Sequence, residues 1–208
     1  MNDPKLRTPR VFVCSPALLS GVRGRRLLAG ELDNELGRCL ARGGTVPLGD
    51  VHAFISSLYF RGKRAYAAVF GRPTAGAEAA YVVTPDRGLV PVDQPVSLDD
   101  LARMADRRID PEDAGYRAPF MHTARELDTK LGPSAQVVLL GSIASEKYLP
   151  VLLEVWEERL LFPEAFVGRG DMSRGGLMLR AVRAGRELGY VSAAGAARRG
   201  PRPPRLDG

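Results

Sequence analysis

Apolar residues along this chain fall into short continuous runs separated by longer stretches in which they recur every three or four positions. The short runs, at residues 11–14, 80–84, 136–140 and 159–162, predict buried strands. The longer stretches between them predict helices, including 31–41 and a long helix over 51–70. This alternation predicts an α/β fold, specifically a single-domain three-layer sandwich with a mostly parallel central sheet.

Length and local composition divide the chain into three parts. A chain of 208 residues can bury one sizeable core, so we assign residues 10–192 to a single domain. Residues 1–9 are predicted to be a flexible leader. Residues 193–208 are rich in arginine, glycine and proline and have little to bury, which predicts a disordered basic tail.

Charge and cysteine content narrow the function classes. Thirty Lys and Arg against 24 Asp and Glu give a net charge of +6, which favours nucleic acid or a nucleotide as partner. No apolar run is long enough to cross a bilayer, and two cysteines are too few for a disulfide framework or a cysteine-based zinc site. We therefore expect a cytoplasmic protein without a membrane partner, metal or cofactor. The oligomeric state is left open.

The segment 159–185 combines a predicted strand, a glycine-rich turn and an amphipathic helix. Asp171 or Ser173 is placed to cap that helix, and Arg169 and Arg174 lie beside its N-terminus, where backbone N–H groups attract anions. This arrangement predicts a phosphate or carboxylate site that includes Gly168, Arg169, Gly170, Ser173 and Arg174. Alternatively, the glycines only permit a tight turn and the arginines are solvated, since the spacing matches neither the P-loop nor the dinucleotide fingerprint.

Small and polar residues also follow the other three predicted strands. They are Cys14 and Ser15 after the first, Thr84, Asp86 and Arg87 after the second, and Gly141 and Ser142 after the third. Ligands of open α/β sheets bind at the carboxyl ends of strands, so we expect these corners and the 169 turn to meet at one pocket. The alternative is that they are ordinary surface loops.

The predicted helix 51–70 carries a polar flank. Ser57, Arg61 and Arg64 recur at i, i+4 and i+7, which places a hydroxyl and two cations in a row that suits contact with phosphates. A solvated helix face explains the same pattern. His52 is predicted to be a cap or surface residue.

Several phrases occur in an order similar to that of known proteins. They are VCSPALLSG, ISSLYFRGKRAYA, VTPDRGLVPVDQP and VVLLGSIASEKY before LLFP. Over residues 10–180 the chain resembles a group of bacterial α/β proteins of unknown function and, more distantly, the core domain of archaeosine synthase. Both resemble the uracil-DNA glycosylase fold, so the resemblance implies a uracil-DNA glycosylase-like fold here.

The chain also departs from those relatives. Their first strand leads into a cysteine, a small residue and a lysine, whereas here Cys14 and Ser15 are followed only by arginines further along. That departure argues against lysine chemistry in this loop. The motifs by which uracil-DNA glycosylases activate water and read the base are not recognisable, so the fold alone does not imply that activity.

Two function hypotheses follow. The first is a nucleobase- or nucleic-acid-directed enzyme acting at a glycosidic bond, with Asp86 or Asp171 as general base or as the group that stabilises the oxocarbenium charge. Both aspartates also have simpler explanations, Asp86 as a turn residue and Asp171 as an N-cap. The second is a non-catalytic module that binds nucleic acid or a nucleotide. Both hypotheses use the same predicted binding residues: Cys14, Ser15, Ser57, Arg61, Arg64, Arg87, Gly141, Ser142, Gly168, Arg169, Gly170, Ser173 and Arg174.

Overall fold

The computed structural model describes residues 8–144, 146–201 and 203. The predicted leader therefore lies almost wholly outside the described residues. The strands are β1 (Arg10–Cys14), β2 (Val46–Pro47), β3 (Ala80–Thr84), β4 (Gly88–Pro91), β5 (Pro95–Val96), β6 (Gln136–Leu140), β7 (Leu160–Pro163) and β8 (Tyr190–Ser192). The helices are α1 (Val22–Leu28), α2 (Glu35–Ala41), α3 (Leu48–Ser56), α4 (Leu58–Phe70), α5 (Leu98–Asp106), α6 (Ala114–Leu131), α7 (Leu149–Trp156) and α8 (Asp171–Arg183).

Six strands form the central sheet, in the order β4-β3-β1-β6-β7-β8. The four inner strands are parallel, and the edge strands β4 and β8 run antiparallel to their neighbours. The prediction of an α/β protein with a mostly parallel sheet is confirmed. Strands β2 and β5 form a separate two-stranded pair.

The inner strands form the core because they are apolar on both faces. All of β3 is buried, as are four of the five residues in both β1 and β6. Strands covered on both faces have continuous rather than alternating apolar sequences, which is why these runs were recognisable. From β1, Phe12 packs edge-on against Tyr66 of α4, with ring centroids 5.5 Å apart.

Helices α4 and α8 approach at backbone contact. A Cβ added to Gly62 of α4 would lie 2.9 Å from the carbonyl oxygen of Gly175 in α8, and one added to Gly175 would lie 2.7 Å from that of Leu58. Only glycine permits this spacing. The close approach brings the residues adjacent to these glycines, Lys63 on α4 and Arg174 on α8, to the carboxyl edge of the sheet, where they contact Ser15 and Gly141.

The predicted helix over residues 51–70 is wrong in one respect, because it is two helices. Ser57 separates α3 from α4 and has φ 49° and ψ −116°, a conformation that an α-helix does not contain. A local change in backbone conformation of this kind does not alter the spacing of the apolar residues. The helical pattern in the sequence therefore continues through Ser57.

One further segment differs from its predicted structure. The segment after β3, where the sequence predicted no further strand, contains β4, which pairs with β3 from Thr84 opposite Gly88 to Tyr81 opposite Pro91. Proline is tolerated there because β4 is an edge strand.

The predicted disordered tail begins with contacts to the domain. Ala193 is buried and donates its N–H to the Leu160 carbonyl, and the backbone at Pro201 passes close to Gly168. Residues 202 and 204–208 lie outside the described part of the chain. Among the described helices, none combines the length and the apolar character that a membrane crossing requires.

Candidate functional site

Strand β1 lies at the point where the chain changes direction across the sheet. After β1 the chain moves towards β3, and after β6 it moves towards β7 on the opposite side. The loops that leave β1 and β6 therefore diverge, and such a switch point opens a crevice at the carboxyl ends of the strands. The polar corners predicted from sequence at Cys14, Thr84 and Gly141 belong to this edge.

A cavity of about 620 Å³, which we call the edge cavity, opens beside this crevice. It is lined by residues 16–20, His52, residues 83–85, Met104, Ala105, residues 107–109, Lys147 and Tyr148. Three of these side chains, Arg107, Arg108 and Lys147, are basic and exposed. Of the described residues that line the cavity, none is acidic. The cavity thus has an apolar interior and a positively charged rim.

His52 contributes a buried polar group to the cavity wall. Its Nδ1 accepts a hydrogen bond from the Ala17 backbone N–H at 3.1 Å, which places the ring proton on Nε2. Nε2 is buried without a hydrogen-bond partner among the described residues. Burial, aided by the nearby Lys63 cation, lowers the pKa of His52 to about 3, so the ring stays neutral and keeps its N–H donor. The prediction of a cap or surface role for His52 is wrong.

Lys63 lies buried behind the end of β1. Its Nζ donates to the backbone oxygen of Ser15 at 2.9 Å and to Ser15 Oγ at 2.8 Å, and it sits 3.9 Å from the centre of the Tyr59 ring. Within the described residues no carboxylate forms an ion pair with it, although Asp171 lies close enough to influence it. Burial lowers the pKa of Lys63 to about 8, Arg174 adds to this effect, and Cys14 and Asp171 partly offset it.

Arg174 is also buried, and it ties α8 to the sheet. Its Nε donates to the Phe166 carbonyl at 3.2 Å and its guanidinium donates to the Gly141 carbonyl at 3.1 Å. Arg169 donates to the Ala165 carbonyl at 3.0 Å and to Ser173 Oγ at 3.2 Å. Neither arginine lines the edge cavity. In these four contacts the two arginines of the predicted anion turn donate to the protein's own carbonyl and hydroxyl oxygens.

Asp171 begins α8 and lines a second, smaller cavity of about 370 Å³ with Leu18, Tyr59 and Met172. Gly170 is the N-cap and, as a glycine, has no side chain with which to cap the helix. The prediction that Asp171 or Ser173 caps α8 is therefore wrong. Gly168 has φ 71° and lies against the backbone of Pro201, which explains a glycine there without a ligand.

The other predicted carboxylate, Asp86, is largely buried beside Arg87. The two side chains form an ion pair at 3.5 Å, and Arg87 lies equally far from Asp100. Neither Asp86 nor Arg87 lines the edge cavity, although Thr84 does. The Thr84 hydroxyl donates to the Gly88 carbonyl and accepts the Arg87 N–H, so its hydrogen bonds hold the β3–β4 turn.

The predicted stripe of Ser57, Arg61 and Arg64 does not reach the edge cavity. Ser57 sits in the break between α3 and α4, and Arg61 is exposed. Arg64 pairs with Asp50 and, at 3.1 Å, with Asp93. The structure therefore spreads this stripe over surfaces that do not meet at the candidate site.

Of the predicted residues at the ends of β1 and β6, Ser15 and Gly141 are adjacent. A Cβ on Gly141 would lie 3.1 Å from Ser15 Cβ. Ser142 Oγ accepts the Ala144 N–H at 3.3 Å. Cys14 is fully buried, and burial raises the pKa of its thiol to about 11, which makes a reactive thiolate unfavourable.

The structure adds six residues that the sequence analysis did not assign to the site: His52, Lys63, Arg107, Arg108, Lys147 and Tyr148. The run ADRRIDPED was recognisable as charged, with two arginines among four acidic residues, but only the fold brings residues 107 and 108 to the edge of the sheet. Comparison with known proteins returned no matching family model, curated protein or solved structure.

Proposed function

We propose that this protein binds a nucleotide or a closely related phosphorylated ring compound in the edge cavity. The observation that carries the proposal is the pairing of an apolar interior with a rim of three basic side chains and no acidic lining residue among those described. An anionic group held at the rim and a flat ring held inside match these two environments.

The interior offers the groups that a ring would need. Tyr148 provides an aromatic wall that is mostly buried, and the free Nε2–H of His52 is a donor for a ring oxygen or nitrogen. Leaving a buried donor unpaired costs roughly 1–3 kcal/mol, and a ligand acceptor would remove that cost. The volume lies within the usual range for small-molecule sites, about 300–1,000 Å³.

Binding has more support than cleavage of a glycosidic bond. Cleavage by either predicted carboxylate requires Asp86 or Asp171 next to the sugar, yet Asp86 is paired with Arg87 and Asp171 lines the second cavity. We therefore favour the binding hypothesis over the glycosidic-bond enzyme. The three-layer, uracil-DNA glycosylase-like arrangement and the cytoplasmic location stay predictions.

Isothermal titration calorimetry with purine and pyrimidine nucleoside monophosphates and with the matching nucleosides tests this function. We expect monophosphates to bind, nucleosides to bind more weakly, and Arg107→Ala or Arg108→Ala to weaken monophosphate binding about 10-fold each, since a hydrogen bond to a charged group contributes about 1.5–3 kcal/mol. The matched control is Arg183→Ala, an exposed arginine at the far end of α8, which should bind as the unchanged protein does.

Two results would contradict the proposal. One is that no monophosphate binds the folded protein at millimolar concentration. The other is binding that Arg107→Ala, Arg108→Ala and Arg183→Ala weaken equally, because that result indicates non-specific attraction to a basic surface.

A further inference from the structure

Ser15 and Lys63 form a buried pair that the proposed binding function does not use. Nζ of Lys63 lies 2.8 Å from Ser15 Oγ and 2.9 Å from the Ser15 carbonyl oxygen, under the face of the Tyr59 ring. A hydroxyl next to a desolvated amine is the arrangement of a nucleophile and its base. We propose that Ser15 and Lys63 are a catalytic pair for acyl transfer, with Ser15 as nucleophile, Lys63 as general base and a carboxylic ester as substrate.

The environment of Lys63 suits a base because it favours the neutral amine. The groups that face Nζ are Cys14 from β1, His52 from α3, Tyr59 from its own helix, and Asp171 and Arg174 from α8. His52 is neutral, the Cys14 thiol holds its proton, and Arg174 repels the ammonium form. Asp171 favours the charged form but forms no ion pair with Lys63. A lysine paired closely with a carboxylate would stay protonated and could not accept a proton.

The absence of a side chain at residue 141 keeps the Ser15 hydroxyl from being crowded. A Cβ on Gly141 would lie 3.3 Å from Ser15 Oγ, closer than most Cβ contacts. Ser15 itself is 8% exposed, and the next residues, Pro16 and Ala17, line the edge cavity. The basic rim could hold an ester whose leaving alcohol carries an anionic group. The ester carbonyl would then lie next to Ser15. That last step rests on the proposed binding function, whereas the reactivity of the pair does not.

The reaction has two balanced halves. As Ser15 Oγ forms a bond to the acyl carbon, neutral Lys63 takes the Oγ proton and the carbonyl π electrons move to oxygen. The intermediate then collapses, the bond to the leaving oxygen breaks, and Lys63 returns the proton to it, which yields an alcohol and an acylated Ser15. Water repeats the sequence at the acyl-serine, so that ester and water become carboxylic acid and alcohol.

Covalent labelling of the full chain tests the pair without knowledge of the natural substrate. The probes are a fluorophosphonate and, separately, p-nitrophenyl acetate, with intact mass and peptide mapping as readouts. We expect one label, on Ser15, no label in Ser15→Ala, and labelling at least about 100-fold slower in Lys63→Met, which is the size of a general-base effect. The labelling rate should rise with pH through about 8 as Lys63 loses its proton.

Matched controls are Ser134→Ala and Lys130→Met, which alter exposed residues at the opposite end of β6 and should label as the unchanged protein does. If Ser15→Ala does not fold, Gly141→Ala takes its place in the test. This variant crowds Ser15 Oγ and should therefore slow labelling. A folded, unchanged protein that stays unlabelled up to pH 9, or that carries its label elsewhere, overturns the proposal. Labelling of Ser15 in a protein that binds no monophosphate would retain the pair and reject only the proposed ligand.

Discussion

Lys63 occupies a position where lysine is rarely found. Its side chain is 1% exposed, and the partners of its Nζ are two oxygens of Ser15 and an aromatic ring rather than a carboxylate. A buried cation with this set of partners lowers stability, because desolvation disfavours the charged form that is normal at neutral pH. A neutral side chain of similar length would avoid this loss of stability. A lysine at such a position is therefore a candidate for a chemical role.

The cost of Lys63 predicts a pH dependence of folding. Its pKa is about 8 in the folded protein against an ordinary 10.5, so the unfolded chain holds the proton more tightly between these values. Stability should therefore rise with pH from about 8 to 10.5, by roughly 3 kcal/mol in total, and be reduced by a constant amount below pH 8. Because tyrosines and Cys14 also titrate in this window, the informative quantity is the difference in unfolding free energy between the unchanged protein and Lys63→Met.

Urea unfolding at pH 7.5 and pH 10 measures that difference. We expect the unfolding free energy of the unchanged protein to increase relative to that of Lys63→Met as the pH rises. Its difference from Lys130→Met, which alters an exposed lysine, should not change with pH. A Lys63→Met difference that is the same at both pH values would show that Lys63 is charged, or neutral, in both folded and unfolded chains, and would contradict the assignment of its environment.

At the scale of elements, the break between α3 and α4 sets the position of Lys63, since α4 restarts at Leu58. Ser57 adopts φ 49° and ψ −116° there, a conformation that glycine adopts readily and other residues do not. We expect Ser57→Gly to stabilise the protein by about 1 kcal/mol, which urea unfolding at pH 7 measures.

The same variant separates the structural role of Ser57 from the binding role predicted for its hydroxyl. Ser57→Gly should bind nucleoside monophosphates as tightly as the unchanged protein, because Ser57 does not line the edge cavity. A loss of stability would show that the hydroxyl outweighs the backbone strain. Weaker binding would restore Ser57 to the candidate site.

The elements also show what the sequence could and could not predict. Strands β1, β3, β6 and β7 were recognisable because each is a short apolar run buried in the sheet. The site was only partly recognisable. Ser15 and Gly141 follow from their place after buried strands, but the burial of Lys63 depends on the contact of Gly62 with Gly175, which are more than 100 positions apart. The residues that flank Gly62 and Gly175 in the sequence do not indicate such a contact.

The whole molecule brings its corners together less completely than the sequence predicted. The loops that follow β1, β3 and β6 all contribute residues to the edge cavity, since β1 lies between the other two strands in the sheet, but of the predicted corner residues only Thr84 lines it. The first residues of α8, Asp171 and Met172, meet the loop after β1 at the second cavity instead. The basic side chains therefore do not converge on one anion-binding site. Positive charge is divided between the rim of the edge cavity and arginines spread over other surfaces.

This distribution of charge predicts how binding depends on salt. With a net charge of +6, the molecule attracts any polyanion weakly, but a nucleoside monophosphate in the edge cavity displaces few counterions. A plot of log affinity against log salt concentration should have a slope of about −2 or shallower for a monophosphate, since each neutralised phosphate of a single strand contributes about −0.7.

Fluorescence anisotropy of a labelled single-stranded 12-mer gives the comparison. We expect the 12-mer to bind with a steeper slope and with equal losses in Arg107→Ala and Arg183→Ala. If the 12-mer instead binds more tightly than any monophosphate at physiological salt and loses more affinity in Arg107→Ala than in Arg183→Ala, the edge cavity is a subsite for nucleic acid rather than for a free nucleotide.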